Sequence, residues 1–190
     1  MDRKKHILIV DDVTTNLKLA ADVLKDNYQL SMAKSGAQAL EFLKKARPDL
    51  ILLDVRMPGM DGYETLEHIK ANTETSNIPV VFLTVDDQRE SEIKGLKMGA
   101  MDFILKPFEP EIMLSRIEKI LQIEDLRKNL SNSAKKDPLT GLWNRKFIED
   151  DIEKYFISKN KGVFILCDID NFKYVNDTYG HDFGDDYIKT

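Results

Sequence analysis

Two textures of apolar and polar residues alternate along the first 120 residues. Short apolar runs occupy 6–10, 28–33, 49–53, 79–84 and 102–105. Their apolar residues do not alternate with polar ones, a pattern of strands covered on both faces. Between the runs lie stretches with helical spacing. Leu17, Ala20, Ala21 and Leu24 fall at i, i+3, i+4 and i+7, as do Ala39, Phe42, Leu43 and Ala46, and Ile93, Leu96 and Lys97 begin a further face. Five strands alternating with helices predict right-handed βαβ units in a doubly wound, five-stranded parallel α/β sheet. Punctuation agrees: Ser35-Gly36 opens a helix, Pro48 ends one, and Pro58-Gly59 with Asp61-Gly62 marks a long loop.

From 109 to about 136 the spacing is that of one long helix, with no Gly or Pro after Pro110. Ile123, Leu126 and Leu130, three and four apart, form a short seam on it. Asp137-Pro138 marks a boundary. A third texture follows, with a helix over 145–156, a strand over 162–167 and an aspartate-rich stretch over 168–186. The division expected is 1–122 as the first domain, 123–136 as a linker helix and 137–190 as part of a second domain.

Composition narrows the function classes. Lys and Arg number 28 against 33 Asp and Glu, a net charge of −5, and neither half of the chain is a basic arm, which argues against a nucleic-acid partner. The lone cysteine, Cys167, excludes an internal disulfide and is expected to be a buried strand thiol. No apolar run approaches the roughly 18 residues that span a bilayer. Ile7–Val10 is too short for a signal-peptide core, so a cytoplasmic protein without membrane contact is expected.

The candidate chemistry sits at the strand ends. In parallel sheets ligands gather beyond the carboxyl ends of the strands. Those ends carry Asp11-Asp12, Asp54, Thr84 and Lys106. Three carboxylates meeting there repel one another unless a cation joins them, and a hard divalent ion such as Mg²⁺ suits oxygen ligands. Lys106 supplies a compact positive charge for a phosphoryl oxygen and Thr84 a hydroxyl donor.

These residues, with Leu53-Asp54-Val55-Arg56-Met57-Pro58-Gly59-Met60-Asp61-Gly62 and Lys106-Pro107, resemble the receiver domain of two-component response regulators. The resemblance implies that Asp54 is the phosphoacceptor, attacking the phosphoimidazole of a sensor histidine kinase. It implies that Asp12 and Asp54 hold Mg²⁺ with the backbone carbonyl of Arg56, while Asp11 helps through water. Lys106 is then the phosphoryl contact, Thr84 reorients toward the phosphoryl group, and Phe103 moves inward with it. A cis Lys106–Pro107 bond is implied as well.

A second constellation opens with Asp137-Pro138-Leu139-Thr140-Gly141-Leu142-Trp143-Asn144-Arg145. It continues with Asp168-Ile169-Asp170-Asn171-Phe172 and reaches Asn176 and Gly184-Asp185. Taken alone, it is a turn, a helix and an acidic loop. As a whole it resembles the start of a GGDEF-type diguanylate cyclase domain, an incomplete α+β domain here. The resemblance implies Mg²⁺ on Asp168 and the carbonyl of Ile169, GTP phosphates on the backbone at Asn171 and Phe172, and guanine on Asn176 and Asp185. The 190 residues contain no GG(D/E)EF hairpin, so by themselves they are expected not to form cyclic di-GMP.

The function expected is a response regulator controlling a diguanylate cyclase, with GTP a partner only of a complete cyclase domain. Phosphorylation is expected to favour a homodimer through the Ile123, Leu126 and Leu130 seam. The alternative is a stand-alone phospho-relay or interaction module with an inactive cyclase remnant.

Overall fold

The structure is a computed structural model describing residues 3–85, 89–157, 163 and 165–189. The chain forms two compact units, Met1–Asp125 and Leu126–Thr190.

The first unit runs β1 (His6–Val10), α1 (Thr14–Leu24), β2 (Gln29–Ala33), α2 (Gly36–Leu43), β3 (Leu50–Asp54), α3 (Gly62–Ala71), β4 (Val80–Thr84), α4 (Arg89–Lys97) and β5 (Asp102–Leu105). A long α5 (Pro110–Ala134) follows. The strands form one sheet in the order β2-β1-β3-β4-β5, with every pairing parallel. The predicted doubly wound sheet is therefore present.

Alternate residues of the central strands feed two separate cores, so both faces demand apolar side chains. Leu8, Val10, Ile51, Leu53, Val80 and Phe82 pack with Ala39, Leu43, Leu66 and Ile69 of α2 and α3. Ile7, Ile9, Leu50, Leu52, Val81 and Leu83 pack with Leu17, Ala20 and Leu24 of α1 and Met113, Ile117 and Ile120 of α5. Every residue of β1, β3 and β4 is buried, whereas the edge strand β2 is mostly accessible.

Local signals set the helix ends. Ser35 Oγ accepts from Gln38 N–H, and Asp61 Oδ1 accepts from Glu64 N–H at 2.8 Å, each filling a donor that a helix start leaves open. Gly62 follows because α3 begins hard against β3: a Cβ there would lie 2.3 Å from the Asp54 carbonyl oxygen. Pro48 is not the terminator of α2, which ends at Leu43. The Lys106–Pro107 bond is cis.

The apolar face expected from Ile93 and Leu96 is not core, since these side chains are 44% and 49% exposed. Among the residues of α4 whose burial is described, the buried one is Gly95. On α5, Met113, Ile117, Ile120 and Leu121 are buried, while Ile123, Leu126 and Leu130 are exposed.

The second unit holds the end of α5 and the helices α6 (Arg145–Ile157), α7 (Phe172–Tyr179) and α8 (His181–Lys189). Asp137 organises the turn before α6, its Oδ1 accepting from Leu139 N–H, Thr140 N–H and the Thr140 hydroxyl. Asn144 joins two helix ends: its amide donates to Ala134 O at 2.8 Å and its Oδ1 accepts from Phe147 N–H. The strand expected over 162–167 is not formed at its described residues, 163 and 165–167. Val163, Ile165 and Leu166 are 76–89% exposed and have no partner strand among the described residues. Gly162 and Phe164 lie outside the described residues. Cys167, expected to be buried, is exposed for the same reason.

Candidate functional site

Strand register gathers the polar ends of the sheet at one edge. Val10 is level with Leu53, Asp54 with Leu83, and Thr84 with Leu105. The next residues after β1 and β5 are Asp11 and Lys106, so two acids, a hydroxyl and an ammonium emerge side by side. Parallel topology alone produces this, because every strand in such a sheet points its carboxyl end the same way.

Carboxylate oxygens of Asp11, Asp12 and Asp54 all lie within 4.8 Å of one another. Asp11 is fully buried, Asp54 is 6% exposed and Asp12 is half-buried. Lys106 Nζ donates to Asp11 Oδ2 at 2.6 Å and lies 2.9 Å from Asp54 Oδ1. Asp11 Oδ1 also accepts from Val13 N–H at 2.8 Å, and the Asn16 amide reaches both of its oxygens at 3.1 Å. Asp11 is thus the fixed anchor that positions Lys106. Among the described residues, Asp54 has a 3.4 Å approach from Arg56 N–H besides the lysine, and it is the less committed carboxylate.

Burial pushes the Asp54 carboxyl above its ordinary range, the Lys106 ammonium pulls it back, and Asp11 adds to the upward push. An anion held in this way gains from a cation arriving beside it. The donor set is all oxygen and carries more negative charge than one lysine balances, which fits a hard divalent ion. Asp54 opens into a cleft lined also by Asp12, Val13, Asn16, Arg56, Val85 and Lys106. A nucleophilic oxygen facing an open cleft, with an ammonium beside it, suits attack on an incoming phosphoryl group.

Thr84 is buried at the end of β4. Phe103, expected to move inward on signalling, is already inward: it is 8% exposed and its ring lies 5.4 Å from that of Phe82. Asn16 was not among the sequence candidates, and only its place in the first turn after the acidic pair hinted at it.

The family model described as "Response regulator receiver domain" matches residues 7–118. The chain belongs to the response regulator receiver family. A second model, "Diguanylate cyclase, GGDEF domain", matches residues 134–190.

The response regulator PleD of Caulobacter vibrioides is 36% identical over 161 residues, covering 78% of this chain and 36% of PleD. A probable cyclic di-GMP phosphodiesterase of Vibrio cholerae is 42% identical over 116 residues, covering 61% of this chain and 26% of that protein. The chain therefore spans about a third or less of the length of these relatives. A crystal structure of a putative response regulator from Chloroflexus aurantiacus is 34% identical with a TM-score of 0.61. It covers 63% of this chain and 99% of its own.

The second set of predicted residues is differently placed. Asp168, Ile169, Asn171 and Asp185 are exposed. Phe172 and Asn176 are half-buried on α7. Asn171 has left-handed backbone (φ 57°) immediately before α7. The Asn176 amide lies on Gly184 of α8, where a Cβ would come within 1.8 Å of its Oδ1. Among the described residues only Asp11, Asp12 and Asp54 form a group of three or more metal-ligating side chains, so Asp168 belongs to none.

Proposed function

We propose that Asp54 is phosphorylated by a sensor histidine kinase and that the modification controls a diguanylate cyclase output. The observation that supports this most is the placement of Asp54: at a strand end, facing an open cleft, beside Asp12 and within 2.9 Å of Lys106. An Asp54 carboxylate oxygen attacks phosphorus, the phosphorus–nitrogen bond of the phosphohistidine breaks, and the electron pair returns to the imidazole. Lys106 stays beside the transferring group and offsets its negative charge. Asp12, Asp54 and the Arg56 carbonyl would hold Mg²⁺ with help from Asp11, and the bound ion would supply neutralisation of the phosphoryl group's negative charge. Thr84 turns toward the phosphoryl group, and Phe103, already inward beside Phe82, is the aromatic whose inward seat goes with the switched arrangement.

The matches to PleD and to the GGDEF model support the output half of the reading. Residues 1–122 form the receiver, 123–136 the linker helix and 137–190 the start of the cyclase domain. In that domain Asp168 and Ile169 serve Mg²⁺, and Asn171, Phe172, Asn176 and Asp185 serve GTP. The exposed Ile123, Leu126 and Leu130 serve a phosphorylation-dependent homodimer. No helix among the described residues is long and apolar enough to cross a membrane, and the proposed site of action is the cytoplasm.

The test is cyclic di-GMP content in cells producing the protein from its own gene, with a phosphorylating kinase present. Wild type is expected to raise it and Asp54→Asn to leave it at background. Equal levels from the two would overturn the proposal.

A further inference from the structure

Three aromatic rings from three elements lie in a row beneath α4. Tyr63 of α3 meets Phe82 of β4 edge-on at 5.2 Å, and Phe82 meets Phe103 of β5 at 5.4 Å. Phe82 is fully buried. Two neighbouring residues of α4 close the row from above. Lys94 Nζ stands 4.2 Å over the Tyr63 ring, and Gly95 lies over the other two. A Cβ at Gly95 would come within 2.6 Å of Phe103 Cζ and 2.9 Å of Phe82 Cε2.

Glycine is a poor helix former, and the Gly95 backbone is not in the left-handed region that would require it. Its presence inside α4 is therefore explained by space. Of the two neighbours that crowd it, Phe82 is fully buried on the interior strand β4, whereas Phe103 sits on the edge strand β5. An added methyl group displaces the ring that has somewhere to go, and that ring is Phe103.

We propose that Gly95 is the positioning residue that admits Phe103 to its inward seat, and so sets how readily the receiver reaches its switched arrangement. The proposal rests on the reading of Asp54 as phosphoacceptor and Phe103 as the moving aromatic. It adds the element that keeps the seat open. Among the described side chains of α4, Ile93 and Leu96 are nearly half exposed, so the contact at Gly95 is the buried one. A ring entering or leaving beneath Gly95 thus acts directly on the position of α4.

The test compares wild type, Gly95→Ala, Phe103→Leu and the double variant, using the whole chain. Proton cross-relaxation between the Phe103 and Phe82 rings, read by NMR, reports the inward seat. Wild type shows it, and Gly95→Ala is expected to lower the inward-to-outward ratio by about tenfold or more, the consequence of overpacking one methyl group. Phosphoryl uptake at Asp54 from acetyl phosphate with Mg²⁺ is expected to continue in Gly95→Ala. A merely structural defect would lower uptake together with the ring signal. An undiminished ring signal in Gly95→Ala overturns the proposal.

Should Gly95→Ala fold poorly, the double variant decides. Leucine ends short of the Cζ position, so Phe103→Leu is expected to restore the lost stability, whereas losses that simply add would overturn the proposal. Absence of uptake by wild type would instead count against the phosphoacceptor reading and leave the ring measurement, made without phosphorylation, standing on its own.

Discussion

The two units carry acidic constellations of similar character in opposite settings. In the first, Asp11 and Asp54 are buried, and Lys106, Asn16 and two backbone N–H groups hold them in place. In the second, Asp168 and Asp185 are exposed, and the apolar run just before Asp168 is 76–89% exposed at Val163, Ile165 and Leu166. The difference lies beneath the acids. Asp54 ends a strand whose other residues are wholly buried, so the core fixes where its carboxylate points. Asp168 follows described residues that are largely exposed and pair with no strand among the described residues, so no buried strand fixes its carboxylate there. Site geometry follows from core packing more than from the site residues themselves.

The largest contrast between the two units is expected from truncating each apolar run. Leu52→Ala removes a fully buried side chain from β3 and is expected to cost about 2–5 kcal/mol in urea unfolding. Leu166→Ala is expected to stay within about 0.5 kcal/mol, the range of ordinary surface changes. Equal costs would mean that Leu166 is as well packed as Leu52.

Of similar size is the effect of removing the shared lysine. Lys106→Ala leaves Asp11 and Asp54 as like charges at close quarters, one of them fully buried. A loss of about 3–5 kcal/mol is expected at neutral pH without metal, the scale of an orphaned buried charge. Mg²⁺ at about 100 times its dissociation constant is expected to return about 2.7 kcal/mol. Asp12→Asn is expected to weaken that rescue and Asp168→Asn to leave it unchanged, as read from melting with and without a chelator.

Much of the receiver site was legible because it needs only strand ends and a parallel topology. Each of Asp11, Asp54, Thr84 and Lys106 ends or follows an apolar run, and parallel strands bring those ends to one edge. Asn16 was not legible, since a polar residue in a first helical turn usually faces water and its contact with Asp11 depends on where α1 docks. Gly95 was hidden for a related reason: the helical spacing pointed to Ile93 and Leu96, while the buried contact belongs to the residue that has no side chain. The strand expected over 162–167 shows the limit of apolar patterning. A run rich in Val, Ile and Leu becomes a strand only where a partner strand supplies its hydrogen bonds.

A smaller effect sharpens the electrostatic side of the comparison. Because burial raises the folded-state pKa of Asp54 above its ordinary 3.8, the native state binds more protons than the unfolded state between the two values. Stability contributed by this group is therefore unaffected below the unfolded value and falls as pH rises through the folded one. Asp54→Asn is expected to stabilise the protein near pH 7, because it removes the buried charge whose folded-state pKa is raised. Its advantage is expected to vanish by about pH 3, below both values. Urea midpoints of the two proteins across this range provide the check. A constant difference would place the effect in packing and not in charge.

On the proposed function, buried-strand geometry makes Asp54, and no other carboxylate, the group that accepts phosphoryl. The direct measurement is intact mass, followed by peptide mapping, after incubation with acetyl phosphate and Mg²⁺. Wild type is expected to gain a single phosphoryl group located on Asp54, and Asp54→Asn to gain none. Labelling that persists in Asp54→Asn, or that maps to Asp11, Asp12 or Asp168 in wild type, would contradict the account.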